Sequence, residues 1–150
     1  MPAFLHRLLA LAGSLACAGV LVLLTGSCGG TPAPASDGGS VVQITERDFH
    51  ISAPARVPAG HVVFRVHNLG PDDHEFIVVR TDGHPLPLRS DGMTVNEESL
   101  QSSIVGALEP GPPGSVRYLK LDLPPGRYQV LCNMEGHYMG GMHDDFVAGS

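Results

Sequence analysis

The sequence predicts an all-β domain, an antiparallel sandwich or barrel with one short helical excursion. Three observations predict it. Glycine and proline are abundant, at 19 and 13 of 150 residues, and from residue 41 onward most of them fall between apolar segments. Those segments are short, and the clearest of them alternate apolar with polar side chains, the period of a half-buried strand. The chain is long enough for about one packed domain and no more.

The elements follow in order. Val41–Thr45 and Phe49–Ile51 read as short strands, after which Pro54, Pro58 and Gly60 break the pattern. His61–His67 alternates, with Val62, Phe64 and Val66 on one face. Asn68–Asp73 is a turn-rich link, and His74–Arg80 (HEFIVVR) is the next strand. Asn96 followed by Glu97 and Glu98, with Leu100 and Ile104 four apart, is the signature of a short capped helix between strands. In Val116–Leu123 the side chains of Leu119, Leu121 and Leu123 share a face opposite Tyr118, Lys120 and Asp122. Pro124-Pro125-Gly126 turns the chain into a strand over Arg127–Cys132, and Asp145–Ala148 is a short final strand.

The N-terminal segment has a different character. Arg7 precedes a charge-free apolar run, Leu8–Leu24, and the pattern predicts a secretory signal. Thr25-Gly26-Ser27-Cys28 resembles a bacterial lipobox, which implies a signal segment over 1–28 and a lipid on Cys28; an uncleaved membrane anchor is the alternative. Residues 29–40 (GGTPAPASDGGS) lack periodicity and read as a flexible tether to a domain over 41–150. The expected location is the cell envelope, on the outer face of the cytoplasmic membrane, or else periplasmic or extracellular. Loss of residues 1–27 removes one basic residue and no acidic one, taking the formal charge from −6 to −7. An acidic monomer of this kind suits a basic-faced protein partner and excludes nucleic acid.

Of the three cysteines, Cys17 lies in the signal run and Cys28 is the lipidation candidate, leaving Cys132 alone in an oxidising compartment. The plain expectation for such a thiol is burial in the core. Strand parity supports burial, since Cys132 shares a face with Val130 and Tyr128. The same parity puts His74 with Phe76 and Val78, and an inward imidazole needs a partner.

Residues 132–142 (CNMEGHYMGGM) supply candidates. His137 follows Cys132 by five positions, and Met142 follows His137 by five more. A thiolate, two imidazoles and a thioether suit copper, which alternates between a soft and a harder oxidation state. Structural zinc, the nearest rival, rarely takes a thioether. Gly136, Gly140 and Gly141 permit the tight turns that such a loop needs.

HEFIVV and CNMEGHYMGGM resemble the ligand segments of small cupredoxins of the plastocyanin/azurin family, with the Cys-to-His-to-Met spacing of rusticyanin and sulfocyanin-like members. The resemblance covers roughly half of the chain. It implies a Greek-key β-sandwich holding one copper ion, Cu(I)/Cu(II), by His74, Cys132, His137 and axial Met142. It also implies one-electron transfer to a redox partner, a cytochrome or a respiratory complex. Where many members have Asn or Ser after the first His, this chain has Glu75, which leaves open how the two ligand segments are tied together. Met134, Met139 and His143 are further soft donors nearby, with Met139 beside the site and His143 facing solvent. His50, His61, His67 and His84 read as surface or strand-end residues.

Two other functions compete. Copper binding and delivery without redox turnover would use the crowded methionines. A copper enzyme would need a second metal wired through a histidine next to Cys132, but its neighbours are Leu131 and Asn133, so no enzyme activity is expected.

Overall fold

The computed structural model describes residues 38–149. The signal segment 1–28 with Cys17 and Cys28, and the tether as far as residue 37, lie outside the described residues. Among the described residues there are nine strands and one helical turn: β1 Ser40–Arg47, β2 His50–Ser52, β3 Arg56–Pro58, β4 Gly60–Asn68, β5 His74–Thr81, α1 Glu97–Leu100, β6 Ile104–Gly111, β7 Val116–Leu123, β8 Gly126–Leu131 and β9 His143–Gly149. Among the described residues, no helix is long and apolar enough to cross a membrane.

The strands form two sheets, ordered β2-β1-β4-β7 and β3-β9-β8-β5-β6. Most pairs are antiparallel, as expected, but β1 pairs with β4 and β3 with β9 in parallel. The short strands β2 and β3 explain this. The chain leaves the first sheet after β2, adds β3 to the edge of the second, and returns as β4, so β1 and β4 are not joined by a hairpin and need not run antiparallel.

Between the sheets lies one core. Val62, Phe64 and Val66 of β4 meet Phe76 and Val78 of β5 and Tyr128 and Val130 of β8, all nearly or fully buried. Phe64 makes aromatic contacts with Phe76 and Phe146, at centroid distances of 5.7 and 5.8 Å. Tyr128 stacks on Phe146 and donates its hydroxyl proton to the Pro124 carbonyl at 2.7 Å, which satisfies the polar end of a fully buried ring. Truncating any of these rings to Ala would cost about 3–5 kcal/mol.

β5 is buried on both faces. Phe76 and Val78 face the main core, while Ile77 and Val79 join Leu131, Leu86 and Val95 in a second cluster beneath the 82–103 excursion. That is why HEFIVV reads as a continuous apolar run instead of alternating. In the excursion, Asn96 caps α1 through a hydrogen bond from the Ser99 N–H. The helix stops at Leu100, and Ile104 begins β6, so the four-residue spacing of Leu100 and Ile104 joins two elements packed on one cluster. β3 falls where Pro54, Pro58 and Gly60 break the pattern, and β6, which contains Gly106 and Pro110, has no counterpart in the sequence reading; both lie at sheet edges, where proline is tolerated.

Candidate metal centre

His74 opens β5, and its parity with Phe76 and Val78 aims it inward; it is fully buried. Cys132 follows β8 and is fully buried beside Val130 and Tyr128. His137 and Met142 come from the connection between β8 and β9, with His137 8% exposed and Met142 not at all. The expected inward thiol and imidazole are thus both observed.

The connection is folded tightly. The Cys132 N–H donates to the Met142 carbonyl and the Met142 N–H to the His137 carbonyl, both at 3.0 Å. A further hydrogen bond, His137 N–H to Met134 carbonyl, closes the first turn. Gly136 and Gly141 adopt positive φ of 80° and 105°, conformations that disfavour other residues. Gly140 matters for another reason: a Cβ there would collide with the ring of Phe49.

These turns bring together ligand atoms that are distant in sequence. His137 Nδ1 lies 3.3 Å from His74 Nδ1 and 3.4 Å from Cys132 Sγ. All three ligand atoms fall within 4.8 Å of one another. Among the described residues, no other cluster of three His, Cys, Asp or Glu with this geometry occurs. Met142 packs in the same core cluster as Cys132.

Burial dominates the electrostatics. It pushes the Cys132 thiol up to about 11, against the lowering effect of nearby backbone N–H groups. His74 is held below its ordinary value, first by burial and then by the neighbouring His137, with Asp48 opposing. At neutral pH the metal-free pocket therefore holds a neutral thiol and a neutral imidazole. A bound cation reverses the balance for the thiol, stabilising the thiolate that coordinates it. The donor set fits a soft-to-borderline metal ion held in a closed, dry pocket.

Glu75 does tie the two ligand segments together. Its Oε1 accepts a hydrogen bond from the Asn133 backbone N–H at 2.7 Å, and burial raises its pKa while that bond lowers it. Asn133 in turn exchanges hydrogen bonds with the backbone of Val95, at 2.6 and 3.0 Å, and donates to Glu97 at 2.7 Å. The residue after Cys132 thus anchors the ligand loop to the excursion.

The other candidate donors are elsewhere. Met134 packs against the main core, while Met139 is 54% exposed. His143 is exposed and lies against the Tyr138 ring at 4.8 Å. Tyr138 itself packs on the second cluster and donates to Gln129 at 3.3 Å. His50, His61 and His84 are exposed and His67 is half-buried, as expected of surface and strand-end positions. Two contacts with no sequence signal are Asp48 against His74, at 3.1 Å, and Phe49 edge-on to His137, with ring centroids 5.6 Å apart.

Neither a protein-family model nor a curated protein sequence matches the chain. Solved structures do match. Auracyanin from Roseiflexus castenholzii superposes with a TM-score of 0.52 at 20% identity, covering 75% of this chain and 98% of that one. Auracyanin A of Chloroflexus aurantiacus, described as a "blue" copper protein, gives 0.55 at 17% identity over 75% of this chain and 100% of that one. Rusticyanin from Thiobacillus ferrooxidans gives 0.54 at 17% identity over 73% and 78%. The chain therefore has the fold expected from its ligand segments, the cupredoxin β-sandwich.

Proposed function

We propose that the protein is a type 1 copper protein that transfers single electrons outside the cytoplasmic membrane. The observation that carries this reading is the buried convergence of His74 Nδ1, Cys132 Sγ and His137 Nδ1 within a cupredoxin sandwich. Met142, fully buried in the same cluster as Cys132, would supply the thioether donor. Copper supplies the one-electron couple between Cu(I) and Cu(II). The chain supplies a rigid enclosure: β5 and β8 fix two ligands, and the hydrogen-bonded loop 132–142 fixes the others, so little need move when the charge changes. Burial of all four side chains keeps water from the metal.

The His137 side would offer the electron its shortest way to a partner. His137 is the candidate ligand next to exposed apolar surface, with Phe49 at 51% and Met139 at 54% exposure beside its loop. The chain carries a net charge of −6, which favours a basic-faced partner, a cytochrome or a respiratory complex, by electrostatic steering. The basic and apolar N-terminal segment supports an extracytoplasmic location, with Cys28 as lipid anchor. No enzyme activity is assigned, because Leu131 and Asn133 flank Cys132 where a wired second copper would need histidine.

Copper delivery without redox turnover is the second reading, favoured by the exposed Met139 close to the site. Voltammetry of the copper-loaded protein separates the two. Electron transfer requires one reversible one-electron wave per copper; binding without a reversible wave would establish the delivery reading instead. Faster reduction of a basic cytochrome at low ionic strength would support the steering, and rates indifferent to salt would refute it.

A further inference from the structure

The two sheets differ on their outer faces. That of β3-β9-β8-β5-β6 is covered by the 82–103 excursion, which packs Leu86 and Val95 on Ile77, Val79 and Leu131. Among the described residues, no comparable cluster lies on the outer face of β2-β1-β4-β7, where Val41 is 56% and Val116 36% exposed.

Parity and register define this second face. On β1, Val42, Ile44 and Glu46 point into the molecule, so Arg47 points out, paired with His50 of β2. On β4, Val62, Phe64 and Val66 are inward, and His61 and Arg65 outward. On β7, Leu119, Leu121 and Leu123 are inward, and Lys120 and Asp122 outward. Gln43, Arg65 and Tyr118 form one row across the sheet, and Val41, Val63 and Lys120 the next. Arg65 donates to the neutral Gln43 amide oxygen at 3.1 Å.

Charge is segregated onto it. The chain has 9 Lys and Arg against 15 Asp and Glu, yet here Arg47, Arg65 and Lys120 outnumber the one acid, Asp122. Asp122 pairs with His61 at the end opposite Arg47. Glu46, the acid on β1, is turned inward on Arg117. The N-terminal segment leads straight into this face. Whatever their conformation, residues 29–39 can separate Cys28 from Ser40, the first residue of β1, by no more than about 40 Å.

We propose that the outer face of β2-β1-β4-β7 docks on the anionic lipid surface of the membrane to which the chain is attached. The proposal rests on the reading of the N-terminal segment as a membrane attachment. Lipid phosphates are the occupant that such a tether keeps within reach at all times, and each basic residue near an anionic surface contributes about a five-fold preference. The remainder of this acidic chain is repelled from the same surface, so charge fixes the orientation. The ligand loop between β8 and β9 shares no residue with the face and is left to a redox partner.

The chain has no Trp, so a single one serves as a probe. Full-length Tyr118→Trp, within the face, and Leu88→Trp, in the excursion over the other sheet, are mixed with vesicles spin-labelled on the headgroups. The vesicles are of phosphatidylcholine, or of equal parts phosphatidylcholine and phosphatidylglycerol. On the anionic vesicles the Tyr118→Trp emission is expected to be quenched more strongly than that of Leu88→Trp, and the difference is expected to vanish on phosphatidylcholine and at high salt. Adding Arg47→Gln to Tyr118→Trp is expected to lower the ratio of quenched to unquenched protein about five-fold, and adding Asp122→Asn to raise it. Equal quenching of the two probes, or a ratio that neither charge substitution moves, overturns the proposal. So does a salt-sensitive dimer without quenching, which assigns the face to a second copy. Flotation with phosphatidylcholine vesicles tests the attachment alone, because neutral lipid offers the face no net charge. A protein that does not float there refutes the attachment, while quenching on the anionic vesicles still decides the role of the face.

Discussion

Glu75 and Asn133 join the two halves of the site: the Glu75 carboxylate, one residue past His74, accepts the backbone N–H one residue past Cys132 at 2.7 Å. This side chain extends the β5–β8 ladder, which ends at Ile77 and Leu131, into the start of the ligand loop. Glu75→Ala is expected to lower copper affinity about 10–100-fold, as loss of such supporting hydrogen bonds commonly does. Glu75→Gln keeps an acceptor oxygen and is expected to stay close to wild type. Competition titration against a chelator of known affinity checks both.

Met142 is the weak ligand in the proposed site. Met142→Leu conserves volume in a fully buried position and is expected to cost less than about 1.5 kcal/mol in stability. Copper should remain bound at the same stoichiometry with a changed reduction potential, because an axial ligand tunes the potential more than it holds the ion. Denaturant melts and voltammetry measure the two effects. If Met139→Leu changes the potential and Met142→Leu does not, the axial assignment moves to Met139.

Glu46 makes a prediction about pH. It is fully buried against Arg117, and burial pushes its carboxyl up from 4.5 to about 7 despite that guanidinium. The folded state therefore binds more protons than the unfolded state between those values. Stability from this group is fully present below 4.5 and is lost as pH rises to about 7, by about 3 kcal/mol. The Glu46→Gln protein lacks this contribution. The wild-type minus Glu46→Gln difference in unfolding free energy, followed by urea denaturation across that window, is expected to fall by this amount.

Gly140 and Phe49 compete for the same space, since a Cβ on Gly140 would meet the Phe49 ring. Gly140→Ala is expected to cost about 1–3 kcal/mol by overpacking. In a Phe49→Gly background, which also relieves the positive φ, the penalty is expected to be largely lost. Thermal denaturation of the four proteins in this cycle measures the coupling; equal penalties in both backgrounds would show that the two residues do not interact.

Much of the site was legible because strand parity is a strict rule. Phe76 and Val78 predict where His74 points, Val130 and Tyr128 predict where Cys132 points, and all four prove fully buried. The spacing of His137 and Met142 behind Cys132 was legible because one hydrogen-bonded loop carries all three. Contacts set by tertiary folding were not. Asp48 lies 26 positions from His74, and Glu46 lies 71 from Arg117, with no periodicity to connect them. β3 was hidden by prolines that only an edge position makes acceptable, β6 has no counterpart in the sequence reading, and the parallel pairing of β1 with β4 depends on a change of sheet that local pattern does not encode.

The most direct test is the visible and electron paramagnetic resonance spectrum of the protein loaded with one equivalent of Cu(II), before and after a mild reductant. An intense thiolate-to-copper band that reductant bleaches and reoxidation restores, and that Cys132→Ser abolishes, is the expected result. A colourless Cu(II) protein, or a band indifferent to Cys132→Ser, would contradict the assignment of a type 1 copper centre.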